Sequence, residues 1–300
     1  MNYPKPKILV SACLEFEKVR YDGQVIPCKI VRDLMPFVDF IKVCPEVEIG
    51  LGVPREPIRI VKKNKELRLI QHKTEKDLTD DMNEFTKTFL DNLDEVDGFI
   101  FKEESPSMGA GEIKVYSDIE LGSAVVEWCG SFFGGEVVRR YSGYSIEEAK
   151  RLKHKKIRQH FLTKLYFFAG LREAEKSGQV DKFVEENALL LEFYNSDKNV
   201  KTSRSNYLDS AKKIFSKPPT VEAIQGFFMQ FVAEVENKEE YRKLLKNYKI
   251  NKIDYNTLFE GTKLVIKNKN ILQDRFFSPY PAELIMLADD GRKRDYWKNK

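Results

Sequence analysis

Three short apolar runs constrain the first half of this chain: ILVSA at 8–12, DFIKV at 39–43 and DGFIF at 97–101. Each is bounded by polar or turn-forming residues and is too short for a buried helix, so each reads as a strand. Stretches of helical spacing lie between them. KIVRDLMPFV gives a helix or turn. DLTDDMNEFTKTFLDNL sets Leu78, Met82, Phe85, Phe89 and Leu93 three and four residues apart, on one helix face. REPIRIV and ELRLI, joined by KKNK, read as a strand pair, and SDIELGSAVVEWC as a helix leading to EVVRRY. Strands alternating with helices predict an α/β fold with a mostly parallel sheet flanked by helices.

The texture changes from about residue 145. IEEAKRLKHKKIRQHFLTKLYFFAGLREAEKSG is one long helical pattern, with Phe161, Leu165, Phe168 and Leu171 on a common face. Further helical stretches follow, punctuated by Pro218-Pro219, Asn251 and Pro279 to Pro281. The expected organisation is an α/β domain over 1–175 and an all-helical domain over 176–300, ending in a loose polar tail, GRKRDYWKNK. A chain of 300 residues, 42% of them hydrophobic, has enough apolar material for two cores.

Charge narrows the partners. Lys and Arg number 51 against 47 Asp and Glu, a net of +4 with the signs mixed, which argues against a dedicated nucleic-acid binder. The run KRLKHKKIRQH at 150–160 reads as a solvated helix face in preference to an RNA patch. The start, MNYPKPKILVSACLEFEK, carries no apolar run long enough for a signal peptide or membrane anchor, so a cytoplasmic protein away from membranes is expected. Four cysteines are too few for a secreted disulfide framework at this length, and the spacings of ordinary zinc sites are absent.

The chemistry gathers where strands end. SAC (11–13), VCPE (43–46) and FKEESPSMG (101–109) each follow a strand, and in a parallel sheet those ends share one edge. Two of the turns bring a cysteine, Cys13 and Cys44; the third brings Met108 where a third sulfur would complete the set. Three thiolates there would suit an iron–sulfur cluster with one iron open to substrate, with Glu46 as a neighbouring carboxylate and Ser105 as a hydroxyl.

SACLEFEKVRYDG, VCPEVEIGLGVPREPIRIV and FKEESPSMG closely resemble the TudS-like thiouracil desulfidase family. IRQHFLTKLYFFAGLRE through FFSPYPAEL resembles the YbgA-type helical domain found fused behind it, most clearly in the Pro-Tyr-Pro-x-Glu-Leu end. The resemblance implies a 4Fe–4S cluster held by three cysteines and used without redox chemistry. Its open iron would take the sulfur of a thiocarbonyl such as 2-thiouracil, so the expected partner is a small thiolated base or nucleoside. Cys13 and Cys44 carry over as metal ligands, and Glu46 and Ser105 as catalytic groups. RYDG is a family motif, which brings Arg20 and Asp22 into the substrate pocket together with Ser107; read from the residues alone, Arg20 and Asp22 are an ion pair on a surface turn. Arg55 reads as a loop pin, and Cys129 as helical core.

The third family cysteine falls on Met108. A thioether is neutral and a weak ligand for such a cluster. Three outcomes follow: Cys28 swings in as a substitute, Met108 or an outside donor completes a labile cluster, or the cluster is gone and the pocket binds a nucleotide, thionucleoside or RNA without catalysis.

Overall fold

The structure, a computed structural model, describes residues 3–195, 206–250 and 252–286; the polar tail lies outside them. Residues 5–165 make up the bulk of one compact unit and residues 166–283 that of another.

The first unit carries two four-stranded sheets. β1 (Lys7–Ser11), β2 (Asp39–Val43), β5 (Gly98–Phe101) and β8 (Ser145–Glu148) form an all-parallel sheet in the order β2-β1-β5-β8. Ile8, Leu9 and Val10 of β1 are fully buried, as are Phe99, Ile100 and Phe101 of β5, which explains their unbroken apolar runs: a central parallel strand is covered on both faces. α1 (Lys29–Leu34) separates β1 from β2, and α2 (Pro45–Glu48) starts directly after β2. Chain order β1, β2, β5 places β2 and β5 on opposite sides of β1, so the direction of winding reverses there. A sheet of this kind opens a crevice at the carboxyl ends beside that reversal.

The second sheet is mixed, with β3 (Ile58–Lys63), β4 (Glu66–Gln71), β6 (Ile113–Tyr116) and β7 (Val125–Cys129) in the order β4-β3-β6-β7. β3 and β4 are the expected hairpin, turning at Asn64 and Lys65, both with positive φ. β7 corrects the expectation of a helix over SDIELGSAVVEWC: residues 125–129 pair antiparallel with β6, and Cys129 is a half-buried strand residue. Consecutive Val-Val and Trp suit a pleated strand better than a helix, and Gly122, at φ 95, turns the chain before it. α3 (Thr79–Asp91) and α4 (Phe132–Arg140) pack together, with the Phe85 and Phe89 rings 6.0 and 5.6 Å from that of Phe133.

The long helical pattern also begins later than its sequence suggests. Ser145–Glu148 is strand β8, paired in parallel with β5, and α5 runs over Lys155–Ser177. The basic run before and within it is not one solvated face. His154, Arg158 and Lys164 are buried, and Arg158 donates to the carbonyls of Leu152 and Lys153.

The second unit is helical: after α5 come α6 (Val180–Glu186), α7 (Ala188–Tyr194), α8 (Tyr207–Ile214), α9 (Val221–Met229), α10 (Lys238–Lys249) and α11 (Tyr255–Val265). Its core is aromatic, built around Phe193, Phe227, Phe228 and Phe276. The buried Tyr241 hydroxyl lies 3.0 Å from that of Thr262 and donates to the Phe228 carbonyl, joining α10, α11 and α9. No described helix is long and apolar enough to cross a membrane.

Candidate functional site

The parallel sheet delivers its carboxyl-end turns to one edge, and hydrogen bonds lock them together. The Ala12 amide donates to the Val43 carbonyl, and the Lys102 amide to Ser11 Oγ, so the ends of β1, β2 and β5 are tied in sequence. Cys13 and Cys44 then sit close enough for their charges to interact. Burial pushes the Cys13 thiol up to about 11, helped by Cys44 and Glu46 and opposed by Lys102. Burial raises Cys44 as well, against backbone N–H groups and the Arg55 guanidinium. Without a cation both are neutral thiols at pH 7.

Cys44 heads α2 and Pro45 fills its first position, which suits a residue without an N–H. That leaves Glu46 free to reach sideways. One carboxylate oxygen accepts from Arg55 Nε at 2.7 Å and the other from Ser107 Oγ at 2.8 Å. Ser107 Oγ is 3.1 Å from Ser105 Oγ, which in turn accepts the Met108 N–H at 3.1 Å. With the Ser107 proton committed to Glu46, Ser105 donates to Ser107. The result is a directed chain from the Met108 amide to the Glu46 carboxylate.

The third turn is held from behind by α4. The amides of Phe132, Phe133 and Gly134 donate to the carbonyls of Pro106 and Ser107, and Ser131 Oγ donates to that of Gly109 at 2.6 Å. Gly134 is required for this approach: a Cβ there would lie 2.4 Å from the Met108 carbonyl oxygen. The turn's carbonyls thus satisfy the first amides of the helix.

Two groups that sequence reasoning passed over belong to this edge. Arg55, read as a loop pin, has a side chain only 3% exposed. It donates to Glu46, to the carbonyls of Gly52 and Val19, and lies 3.7 Å from Cys44 Sγ. Lys102 is the first residue after β5, and its charge acts on Cys13. Its place immediately after a central parallel strand was the available signal.

The turn that carries Arg20 and Asp22 abuts this edge: the Arg55 amide donates to the Tyr21 carbonyl at 2.8 Å, and Cys44 Sγ lies 3.8 Å from the Val19 carbonyl oxygen. Arg20 and Asp22 pair with each other across the tight turn closed by the Gly23 N–H on the Arg20 carbonyl. Cys28 is buried at the start of α1, its amide held by the Glu15 carboxylate that also binds Arg32. Met108 is 4% exposed and packs in an apolar cluster with Leu9, Val43, Phe99, Phe101, Phe133 and Val137.

These donors do not fit a cluster held by three thiolates. Two of the turns offer thiols, the third offers a core thioether, and no three His, Cys, Asp or Glu side chains among the described residues are arranged to hold a metal ion.

A family model described as 2-thiouracil desulfurase matches residues 8–155, which span both sheets and all three turns. An uncharacterized protein of Bacillus subtilis (strain 168), YbbK, is 30% identical over 115 residues, covering 35% of this chain and 75% of that protein. The amino-terminal domain belongs to the 2-thiouracil desulfurase family. A solved structure titled as a [4Fe-4S]-dependent thiouracil desulfidase, TudS, is 27% identical, covers 49% of this chain and 93% of its own, and superposes with a TM-score of 0.38. The family match ends before the helical half begins.

Proposed function

We propose that the amino-terminal domain removes sulfur from a small thiocarbonyl of the thiolated-pyrimidine class. The observation that carries this reading is the meeting of Cys13 and Cys44 with the Glu46–Ser107–Ser105 chain on one sheet edge of a desulfurase-family domain. The net reaction is hydrolytic: C=S and water become C=O and hydrogen sulfide, with no electrons exchanged. Cys13 and Cys44 would face the sulfur as soft, polarisable neighbours. Glu46 would accept the proton of the attacking water, its carboxylate aimed by Arg55 and Ser107. Ser105 and Ser107 would supply hydroxyls to the ring's polar edge, and Lys102 a positive charge near the departing sulfide. We assign no step to an iron–sulfur cluster. For the helical half, the Pro-Tyr-Pro-x-Glu-Leu stretch supports a YbgA-type domain; its Tyr280 and Leu284 are buried.

The test incubates the full chain anaerobically with 2-thiouracil, with and without iron and sulfide reconstitution, and follows uracil by chromatography and released sulfide by colorimetry. Conversion by the wild type, reduced at least tenfold in Cys13→Ser, Cys44→Ser and Glu46→Gln, supports the reading. No conversion under either condition sinks it. Met108 specifically favours a second reading, in which the pocket binds the thiocarbonyl without turning it over. Saturable binding of 2-thiouracil without sulfide release would establish that reading.

A further inference from the structure

We infer that this chain joins its sheet-edge turns with a buried hydrogen-bonded staple, Arg55–Glu46–Ser107–Ser105, in the place of a three-cysteine iron–sulfur cluster. The inference stands apart from the sulfur-removal reading, because it concerns what organises the edge and not what binds there.

The first ground is the third turn. Met108 offers a neutral thioether where a cluster needs an anionic thiolate, and its side chain is part of the core beneath the turn. Turning it outward would empty a packed apolar site and expose the side chain to water, both unfavourable. The backbone cannot move instead. The Met108 amide is held by Ser105, the carbonyls of Pro106, Ser107 and Gly109 are held by α4, and Gly134 leaves no slack against Met108 and Gly109.

The second ground is the lack of a substitute. Cys28 is fixed at the start of α1 by the Glu15 carboxylate on its backbone amide, and Arg32 holds that carboxylate in turn. With Cys28 so placed, no three His, Cys, Asp or Glu side chains among the described residues are arranged to hold a metal ion.

The third ground is what the staple does mechanically. A cluster bound at three turns would cross-link them. Here Arg55 spans the loop after β1 through the Val19 carbonyl, the segment after α2 through the Gly52 carbonyl, and the second turn through Glu46. Glu46 continues to the third turn through Ser107. The same segments are therefore cross-linked without metal. The Arg55 side chain is 3% exposed and that of Glu46 13%, so water competes little for these bonds.

The experiment purifies the full chain anaerobically, reconstitutes it with ferrous iron and sulfide, desalts it, and counts iron and acid-labile sulfide beside the visible spectrum and a melting curve. The expected wild type retains far less than one cluster per chain, and its melting temperature does not respond to iron and sulfide. Met108→Cys is expected to gain about four irons and four sulfides, lost again when Cys13→Ser is added. About four irons in the wild type, lost in Cys13→Ser or Cys44→Ser, would overturn the inference. A folded Met108→Cys chain that still takes up no iron would overturn the assignment to Met108. Should that variant not fold, the wild-type count decides alone. For the staple, Arg55→Met is expected to lower the melting temperature of iron-free protein, with Arg55→Lys recovering only part; an unchanged melt in both would overturn it. Failure of 2-thiouracil turnover both before and after reconstitution sinks the sulfur-removal reading and leaves these outcomes as they stand.

Discussion

Gly134→Ala separates helix propensity from the packing of the third turn. Gly134 lies inside α4, where replacing glycine with alanine ordinarily stabilises by about 1 kcal/mol. Here the new methyl group would stand 2.4 Å from the Met108 carbonyl oxygen and 2.5 Å from that of Gly109. Both are backbone atoms, so no side chain can swing aside, and the turn must retreat from the helix. The retreat pulls on the Phe133 and Gly134 amides, each 2.9 Å from the Ser107 carbonyl, and on Ser131 Oγ, 2.6 Å from the Gly109 carbonyl. Weakening two or three such bonds costs about 3–4 kcal/mol, since each is worth about 1 kcal/mol net and more when a buried partner is orphaned. After the helix-propensity gain, a net destabilisation of about 2–3 kcal/mol remains. For a domain of this size that corresponds to a drop of roughly 4–12 °C in melting temperature. Thermal unfolding followed by circular dichroism reads it directly. Because the turn also carries Ser105 and Ser107, affinity for 2-thiouracil should fall alongside. An unchanged or raised melting temperature would refute the account of how α4 clamps this turn.

Other expected outcomes follow from buried charge. Arg55→Met strands the Glu46 carboxylate without its guanidinium and should cost about 3–5 kcal/mol in urea unfolding. Lys164→Met should act in the opposite direction. Burial brings the Lys164 amine down to about 8 from its usual 10.5, so below pH 8 the folded state holds a desolvated charge. The unfolded chain binds the extra proton between those values, so stability rises with pH across that window. The methionine variant should gain roughly 1–3 kcal/mol at pH 7 and lose that alkaline rise, as melts at pH 7 and 9.5 would show. In the acid range the slope has the same sign for Glu136, held down to about 2 by Arg139 and Arg140. Its contribution is complete above the usual carboxylate range and lost as pH falls toward 2, so Glu136→Gln should flatten the acid limb of the stability curve.

The sequence made β1 and β5 easy to read, because each is a central parallel strand buried on both faces and therefore an unbroken apolar run. Val-Cys-Pro-Glu and Ser-Pro-Ser-Met-Gly could be placed on one edge from topology alone. Two things escaped for physical reasons. β7 and β8 are short strands whose identity comes from their neighbours, so local periodicity gave no reason to separate them from flanking helical patterns. Arg55 escaped because a guanidinium looks the same in sequence whether it pins a surface loop or lies buried against a carboxylate and a thiol. Only the fold brings Val19, Cys44, Glu46 and Gly52 around it. Met108 is the converse case. Its oddness was visible at once, since a thioether at the tip of a polar turn has nothing local to pack against. The structure gives it a partner from behind, the cluster of Val43, Phe101 and Phe133 beneath the turn. The position that asks for a ligand is filled by a core residue, while Arg55 and Glu46 tie the neighbouring turns together by hydrogen bonds. That arrangement explains how the edge keeps Cys13, Cys44, Glu46 and Ser105 in register while its third turn offers no thiolate.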